Sequence, residues 1–406
     1  PEEVPALLWA FAYFFCLLCG YYLLRPVRDE MAIQGGVQHL PWMMTATFLT
    51  LLATTPLFGW LSARVPRITL LRTVYLFFAT HLVLFYALMA SHTEPAWVAR
   101  VFFVWLSVFN LFVVTVFWSF MADVFTPEQG ARLFGAIAAG GSTGALVGPG
   151  LAAALTYLAP VAVLMLAAAG LLLACLICIH HLDRWGRAHS LPHTTDTRVP
   201  IGGSILAGIR LTFASPYLLR ICGYLLLLTM TATFLYLEQA RLVGQTLTDP
   251  VARTRLFAGI DLVVNAVTLI VQLVVANRIM ARWGLGAALI ILPLISLIGF
   301  AALGLSHTLE VLLSFVVARR IAEYAIAKPA REVLFTVVSR EEKYKAKNFI
   351  DTAVSRGGDA TSGWLVSGVK ALGATTAHIA WVLVPIALLW SWLGWTLARR
   401  KEQGIH

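Results

Sequence analysis

Apolar residues run for about 20 positions at a time, over and over along the chain, with short polar stretches between the runs. A run of about 20 apolar residues crosses a bilayer as one helix, so the pattern predicts twelve membrane spans. The first begins near Ala6 and continues past Pro26 to about Gln34. The next five are expected at roughly Trp42–Ala63, Thr69–Ser91, Trp97–Met121, Ala131–Leu155 and Val161–Ile179. A polar linker follows, roughly His180–Pro200. Beyond it come spans near Tyr217–Leu237, Leu256–Met280 and Ala287–Leu305, then three that start near Leu309, Lys345 and His378. The expected architecture is an all-α membrane protein of two pseudo-symmetric six-helix bundles, residues 1–180 and 207–406, with a cytoplasmic linker at 181–206.

One stretch departs from the apolar pattern. Arg319–Asp359 is dense in Arg, Lys, Glu and Asp, although both of its ends lie in apolar segments. Ionisable groups at membrane depth are costly and normally face a bundle interior or an aqueous path. Arg319 and Glu323 are four residues apart, as are Arg320 and Tyr324. Lys347, Asp351, Ser355 and Asp359 share one helical stripe, and Asn348, Thr352 and Arg356 the next. The spacing predicts that the tenth and eleventh spans wall a wet cavity. Structural ion pairs between helices are the competing reading.

Composition agrees with a chain that lives in lipid. It is 59% hydrophobic and 12% charged, where a soluble chain would be about a quarter charged, and its mean hydropathy is +0.81. No soluble domain of useful size is expected. The net charge is +10. With both termini cytoplasmic, the inner connections gather Arg64, Arg67, Arg72, Arg132, Arg278, Arg282, Lys328 and Arg331, while the outer ones hold far fewer cations, so the positive-inside rule favours that orientation. The first residue is Pro, which suggests numbering that starts inside a longer natural chain. The opening PEEVPALL lacks the basic start of a signal peptide.

Candidate chemistry other than transport is sparse. Cys16 with Cys19, and Cys175 with Cys178, have CxxC spacing but sit in apolar runs without a partner set, as inert buried thiols do. His180, His181, His189 and His193 show no regular ligand pattern. No metal and no cofactor are expected. With neither an HExxH motif nor a nucleophile elbow in the chain, it is not expected to be an enzyme. No nucleic-acid partner is expected either.

The two halves echo one another. Ala131–Ala138 (ARLFGAIA) resembles Ala346–Ala353 (AKNFIDTA), an offset of 215 from 131 to 346, and Ser62–Arg67 and Asn277–Arg282 share a final Arg at the same offset. Repeated halves belong to transporters that rock about a central site. Gly59–Arg67 resembles a degenerate loop signature of the major facilitator superfamily, with Ala63 where that signature carries an acid. Gly140, Gly144 and Gly148-Pro149 look like the glycine–proline fifth-helix motif of superfamily antiporters, with simple close packing of helices as the alternative.

Further blocks resemble a narrower group. Leu24–Ile33 (LRPVRDEMAI) is similar to the first-helix motif of the nucleotide transporters, or ATP/ADP translocases, of plastids and intracellular bacteria. Phe117–Gly135, Tyr236–Leu242 and the series Tyr324, Pro329, Arg331-Glu332, Lys345-Ala346-Lys347 and Ile350-Asp351 match that group in order. Arg28 and Arg331 stand where the group has Lys, and Ala346 where it has Gly, so a different phosphorylated or anionic substrate is compatible with the resemblance. The resemblance implies a secondary transporter of the major facilitator fold in a bacterial inner membrane, functional as a monomer, that exchanges ATP and ADP or a related organic anion. The alternatives are an exporter or flippase of a lipid-like amphiphile, a proton-coupled organic anion symporter and, in another class, a non-transporting sensor.

The charges themselves suggest roles. Arg25 and Arg28, with Arg319, Arg320, Lys347 and Arg356, would form a basic cavity able to neutralise phosphate. Tyr324, Tyr21, Tyr22 and Trp118 could stack a base or simply pack. Glu238, Asp261, Glu323 and Asp351 would hold the empty cations and release them to substrate, or one would carry a coupling proton. Glu128 with Arg132, and Arg331 with Glu332, are expected as inner-gate ion pairs.

Overall fold

A computed structural model describes residues 3–62, 64–91, 95–189, 205–336, 346–347 and 349–402. Ala63, His193 and Lys345 lie outside them. All secondary structure among the described residues is helical. Helix α1 spans Val4–Gln34 and continues without a break across Pro26. A short 3-10 turn at Val37–His39 leads into α2, Leu40–Ser62. Then follow α3 (Arg67–Ala90), α4 (Pro95–Val124), α5 (Pro127–Leu158) and α6 (Val163–His189).

Two of these run past their apolar cores for local reasons. Helix α5 starts early because Thr126 and Gln129 form a capping box: the Gln129 amide N–H donates to the Thr126 hydroxyl at 3.3 Å, and the Thr126 N–H to the Gln129 side chain at 3.0 Å. Helix α6 continues beyond Ile179 into the expected linker, where an Asp183–Arg187 pair at 2.8 Å spans one turn.

The second half begins with a short helix that the apolar pattern does not announce, α7 (Ile205–Ala214). Next come α8 (Pro216–Thr246), α9 (Pro250–Val271) and α10 (Asn277–Leu305), with a π-turn at Gln272–Ala276 between the last two. The break between the expected eighth and ninth spans is one residue, Gly284, at φ 75° and ψ 179° inside α10. That backbone conformation is essentially restricted to glycine. The tenth span is interrupted: α11 (Leu309–Ala322), a π-turn at Glu323–Ala327, then α12 (Lys328–Leu334). The eleventh opens on a π-turn, Ile350–Val354, and continues as α13 (Ser355–Ala371). Helix α14 (Thr376–Glu402) is the last.

Ten helical stretches among the described residues are long and apolar enough to cross a membrane. The tenth and eleventh spans fall outside that set because charge and π-turns interrupt them. With these two the chain has the twelve spans that the apolar pattern predicts.

Two compact units form. The first contains Pro1–Val37, Leu49–Thr197 and Leu247–Leu262, and the second Gln38–Phe48, Arg198–Thr246 and Val263–His406. In the first, α1 packs against α4, α5 and α6, and α3 lies on α4 and α6. The α1–α5 contact is backbone to backbone. A Cβ on Gly140 would stand 2.5 Å from the Phe11 carbonyl oxygen, and one on Gly148 would stand 2.7 Å from that of Cys19. The glycine series is therefore a packing seam. Tyr13 of α1 donates to the Tyr75 hydroxyl of α3 at 2.6 Å, which satisfies both buried phenols.

In the second unit α10 packs on α11 and α14, and α8 on α13 and α14. The buried Tyr217 and Tyr224 hydroxyls donate to the carbonyls of Leu334 and Leu289, each at 2.9 Å. The start of α2 is held here too. Trp364 of α13 donates to the Thr45 hydroxyl at 3.0 Å and meets the Trp42 ring edge-on at 4.7 Å between centroids.

Candidate functional site

In the first unit the charges collect on the C-terminal third of α1, where LRPVRDE puts four ionisable groups within six residues. Arg25 lies 3.7 Å from the buried Asp261 of α9, and its guanidinium is 5.6 Å from the Tyr22 ring centroid. Arg28 pairs with its neighbour Asp29 at 2.8 Å and stands 5.6 Å from the Phe103 ring centroid. Glu30 and Arg253 make a buried pair at 2.6 Å. Arg255 donates to the Thr156 hydroxyl at 3.1 Å and carbonyl at 2.7 Å, and lies over the Tyr157 ring. Burial of this much charge is tolerable only because each head group has a partner. Asp29, Glu30 and Arg253 were not among the expected site residues. The two acids are visible beside Arg28 in the sequence, whereas Arg253 lies 223 positions from its partner.

The second unit builds three clusters. The first surrounds Arg319, which is 3% exposed. It donates to Glu323 at 2.9 Å, to the Leu228 carbonyl at 3.0 Å and to the Thr231 hydroxyl at 3.2 Å. Glu323 is thus the counter-ion that the four-residue spacing predicts. Arg320 is half-buried on the next face of α11. Tyr324 is half-buried, and its carbonyl accepts from the Gln272 amide at 3.1 Å. On α13, Asp359 accepts from Thr233 at 3.3 Å and lies 3.5 Å from Arg356.

The second cluster joins α12 to the start of the eleventh span. Arg331 pairs with Asp351 at 3.4 Å, and Glu332 pairs with Lys347. Lys347 also lies 5.8 Å from the Phe335 ring centroid. Arg331 and Glu332 face different partners because successive helical residues point in different directions. The residues expected as gate and as substrate ligands therefore meet in one crossed arrangement.

The third cluster encloses Glu238, whose side chain is wholly buried. It accepts from Thr376 at 2.8 Å, pairs with Arg241 at 3.0 Å and also with Lys370. Glu238 stands seven residues beyond Thr231 on α8, roughly 10 Å along the axis. It belongs to a separate network from Arg319.

Back in the first unit, Arg132 pairs with Glu3 at 3.0 Å, and Glu128 stands exposed in the first turn of α5. The Gln129 amide bonded to Glu3, together with the Arg132 guanidinium, holds the Glu3 carboxyl below the usual carboxylate range. Arg67 pairs with Asp123 at 3.1 Å and bonds Ser119, so the start of α3 is tied to the end of α4. Trp118 packs edge-on against Phe14, Phe117 and Phe134. The five cysteines are free thiols, and all but Cys16 are buried.

Paired cations thus lie on broken, charge-bearing helices in an otherwise apolar chain. The sequence profile of the Major Facilitator Superfamily matches residues 9–318, and the chain belongs to that superfamily. It is an integral multi-pass membrane protein and a secondary transporter that acts on small molecules within the bilayer.

Solved structures share the fold. A bacterial homologue of the human lysosomal transporter Spinster, inward-facing and unoccupied, is 15% identical with a TM-score of 0.65, over 98% of both chains. The nucleoside transporter NupG is 12% identical with a TM-score of 0.59, over 98% of this chain and 99% of that one. The human organic anion transporter MFSD10 (TETRAN) is 17% identical with a TM-score of 0.59, over 97% and 100%. At such identities the likeness is one of fold. No curated protein matches in sequence.

Proposed function

We propose that the protein exchanges phosphorylated organic anions across a bacterial inner membrane, nucleotides of the ATP/ADP type foremost, with its termini and the linker at 181–206 on the cytoplasmic side. The observation that carries this reading is the crossed pairing of Arg331 with Asp351 and of Lys347 with Glu332. These pairs join α12 to the eleventh span. An anion that takes the two cations releases both carboxylates and frees the joint. Without an anion the pairs re-form and the empty carrier is held. Such a carrier exchanges rather than leaks.

Arg319 with Glu323, and Arg28 with Asp29, follow the same logic of a cation kept by a displaceable acid. Arg and Lys suit phosphate because their hydrogen bonds to it are charge-assisted. The motif at Leu24–Ile33 supports the nucleotide branch. We take the two six-helix bundles as 1–180 and 207–406. Glu238 is assigned to holding α8, α13 and α14 together, not to binding substrate.

The test is exchange in proteoliposomes. Labelled ATP entering from outside should depend on unlabelled ATP or ADP inside. Absence of uptake by folded, correctly inserted protein overturns the nucleotide assignment. A proton-coupled organic anion symporter is the second reading, with Asp359, beside Arg356 on α13, as its candidate carboxylate. Uptake that collapses with the pH gradient would select it.

A further inference from the structure

The start of α10 and the end of α14 meet in the second unit. Leu285, Leu397 and Ala398 are buried there in one apolar core. A Cβ on Gly286 would stand 3.4 Å from the Ala398 Cβ and 3.9 Å from the Trp395 ring. Neighbouring side chains turn outward. Arg278, Arg282 and Arg399 are exposed, and so are Trp283 and Trp395, at 70% and 40%. Among the described residues, no carboxylate pairs with any of these three guanidiniums.

The cations continue an apolar face. Leu388, Trp392, Trp395 and Arg399 follow one another at helical spacing, so they share one side of α14. Leu388 and Trp392 are 55% and 58% exposed. Over roughly 16 Å of helix the surface thus passes from open hydrocarbon to open charge. The Arg399 guanidinium lies 3.7 Å from the Trp395 ring centroid. This cation–π contact keeps the charge at the edge of the apolar face. Indoles with cations beside them mark the boundary between acyl chains and head groups. A basic face made only for water would need neither the indoles nor the leucine beneath them.

We propose that this surface is a binding site for one anionic phospholipid, its phosphate diester held by Arg282 and Arg399 and an acyl chain lying along Leu388, Trp392 and Trp395. The head-group phosphate takes charge-assisted hydrogen bonds from the guanidiniums. An anionic head group is selected because a choline would set its own positive charge among three others. The occupant is a lipid, since a free phosphate would satisfy the cations and leave the apolar face bare. With the termini cytoplasmic, as proposed above, the lipid belongs to the inner leaflet, where anionic lipids draw basic segments. Binding here is independent of which substrate the protein carries.

The experiment titrates the full chain in detergent with dioleoyl phosphatidylglycerol, with dioleoyl phosphatidylcholine and with inorganic phosphate. Thermal unfolding reads the stabilisation that a bound lipid confers, and native mass spectrometry counts the lipid retained. Phosphatidylglycerol should raise the melting temperature, and the other two should not. Arg282→Gln and Arg399→Gln should each weaken its apparent affinity about fivefold, the scale of one cation near an anionic surface, and the double variant should lose more than either. Arg187→Gln removes an exposed cation from α6 that already pairs with Asp183, and it should change nothing. Arg282→Lys with Arg399→Lys keeps both charges and should keep the preference for phosphatidylglycerol. Four results overturn the proposal: equal stabilisation by phosphatidylcholine, equal stabilisation by inorganic phosphate, parent-like lipid retention in the double Gln variant, or a loss in Arg187→Gln as large as in Arg399→Gln. Should the double Gln variant fail to fold, the double Lys variant decides, and loss of lipid preference there refutes a site built on charge.

Discussion

Glu238 offers the sharpest test of how charge is used in the second unit. Its carboxylate has no exposure and is matched by Lys370, Arg241 and Thr376, from α13, α8 and α14. Glu238→Gln keeps shape and hydrogen-bonding capacity but deletes the charge. Removing one member of a buried pair costs about 3–5 kcal/mol. Here the two cations are 27% and 35% exposed, and their long side chains can swing toward water. The expected loss is therefore smaller, about 2–3 kcal/mol. Thermal unfolding in detergent would measure it for Glu238→Gln, Lys370→Met and the pair. The double variant should recover part of the loss, because the charge left without a partner is then Arg241 alone. A coupling of more than about 0.5 kcal/mol marks the interaction as direct. If Glu238→Gln melts like the parent but loses gradient-driven accumulation, the structural assignment is wrong and Glu238 belongs to the transport cycle.

Other expectations are simpler. Arg28→Ala and Lys347→Ala should each abolish nucleotide binding, measured with labelled ATP, in protein that still melts cooperatively; normal binding by both would remove these cations from the site. Gly144→Leu would drive a side chain into the Phe15 carbonyl of α1, and overpacking of this kind costs about 1–3 kcal/mol. Gly150→Ala, where a Cβ meets nothing within 4 Å, should be neutral or slightly stabilising, and equal melting of the two variants would refute the seam. The Glu3 carboxyl titrates below its usual value of 4.5 when folded. Its contribution is present above the unfolded value and is lost as pH falls through the depressed one. Glu3→Gln should accordingly flatten the acid limb of a melting-versus-pH curve, and an unchanged limb would show that the contact is idle.

Much of the fold could be read from apolar run length, because a bilayer imposes one dimension on every span. The tenth and eleventh spans were also legible, but through charge, since Arg319 and Glu323 fall four apart and do pair. Partners distant in sequence were not legible. Nothing local ties Arg253 to Glu30 or Lys370 to Glu238, because both pairs are set by how helices pack. Arg331 and Glu332 looked like a pair only by adjacency, and helical geometry sends them to Asp351 and Lys347. The π-turn at Glu323–Ala327 ends just before Pro329, yet a proline inside an apolar run predicts only a kink of unspecified kind. In α1 Pro26 interrupts nothing, which shows how far context decides the outcome.

The single-residue break at Gly284 has a mechanical consequence. Most joints in a helical bundle carry a few spare residues that stretch or fold and so absorb displacement. Here the segment leaving the π-turn at Gln272–Ala276 and the helix returning through Leu285 share one backbone hinge without slack. Displacement at the end of one is delivered whole to the start of the other, as through a crank pin. An inserted tag would cut that linkage even if both helices remained folded.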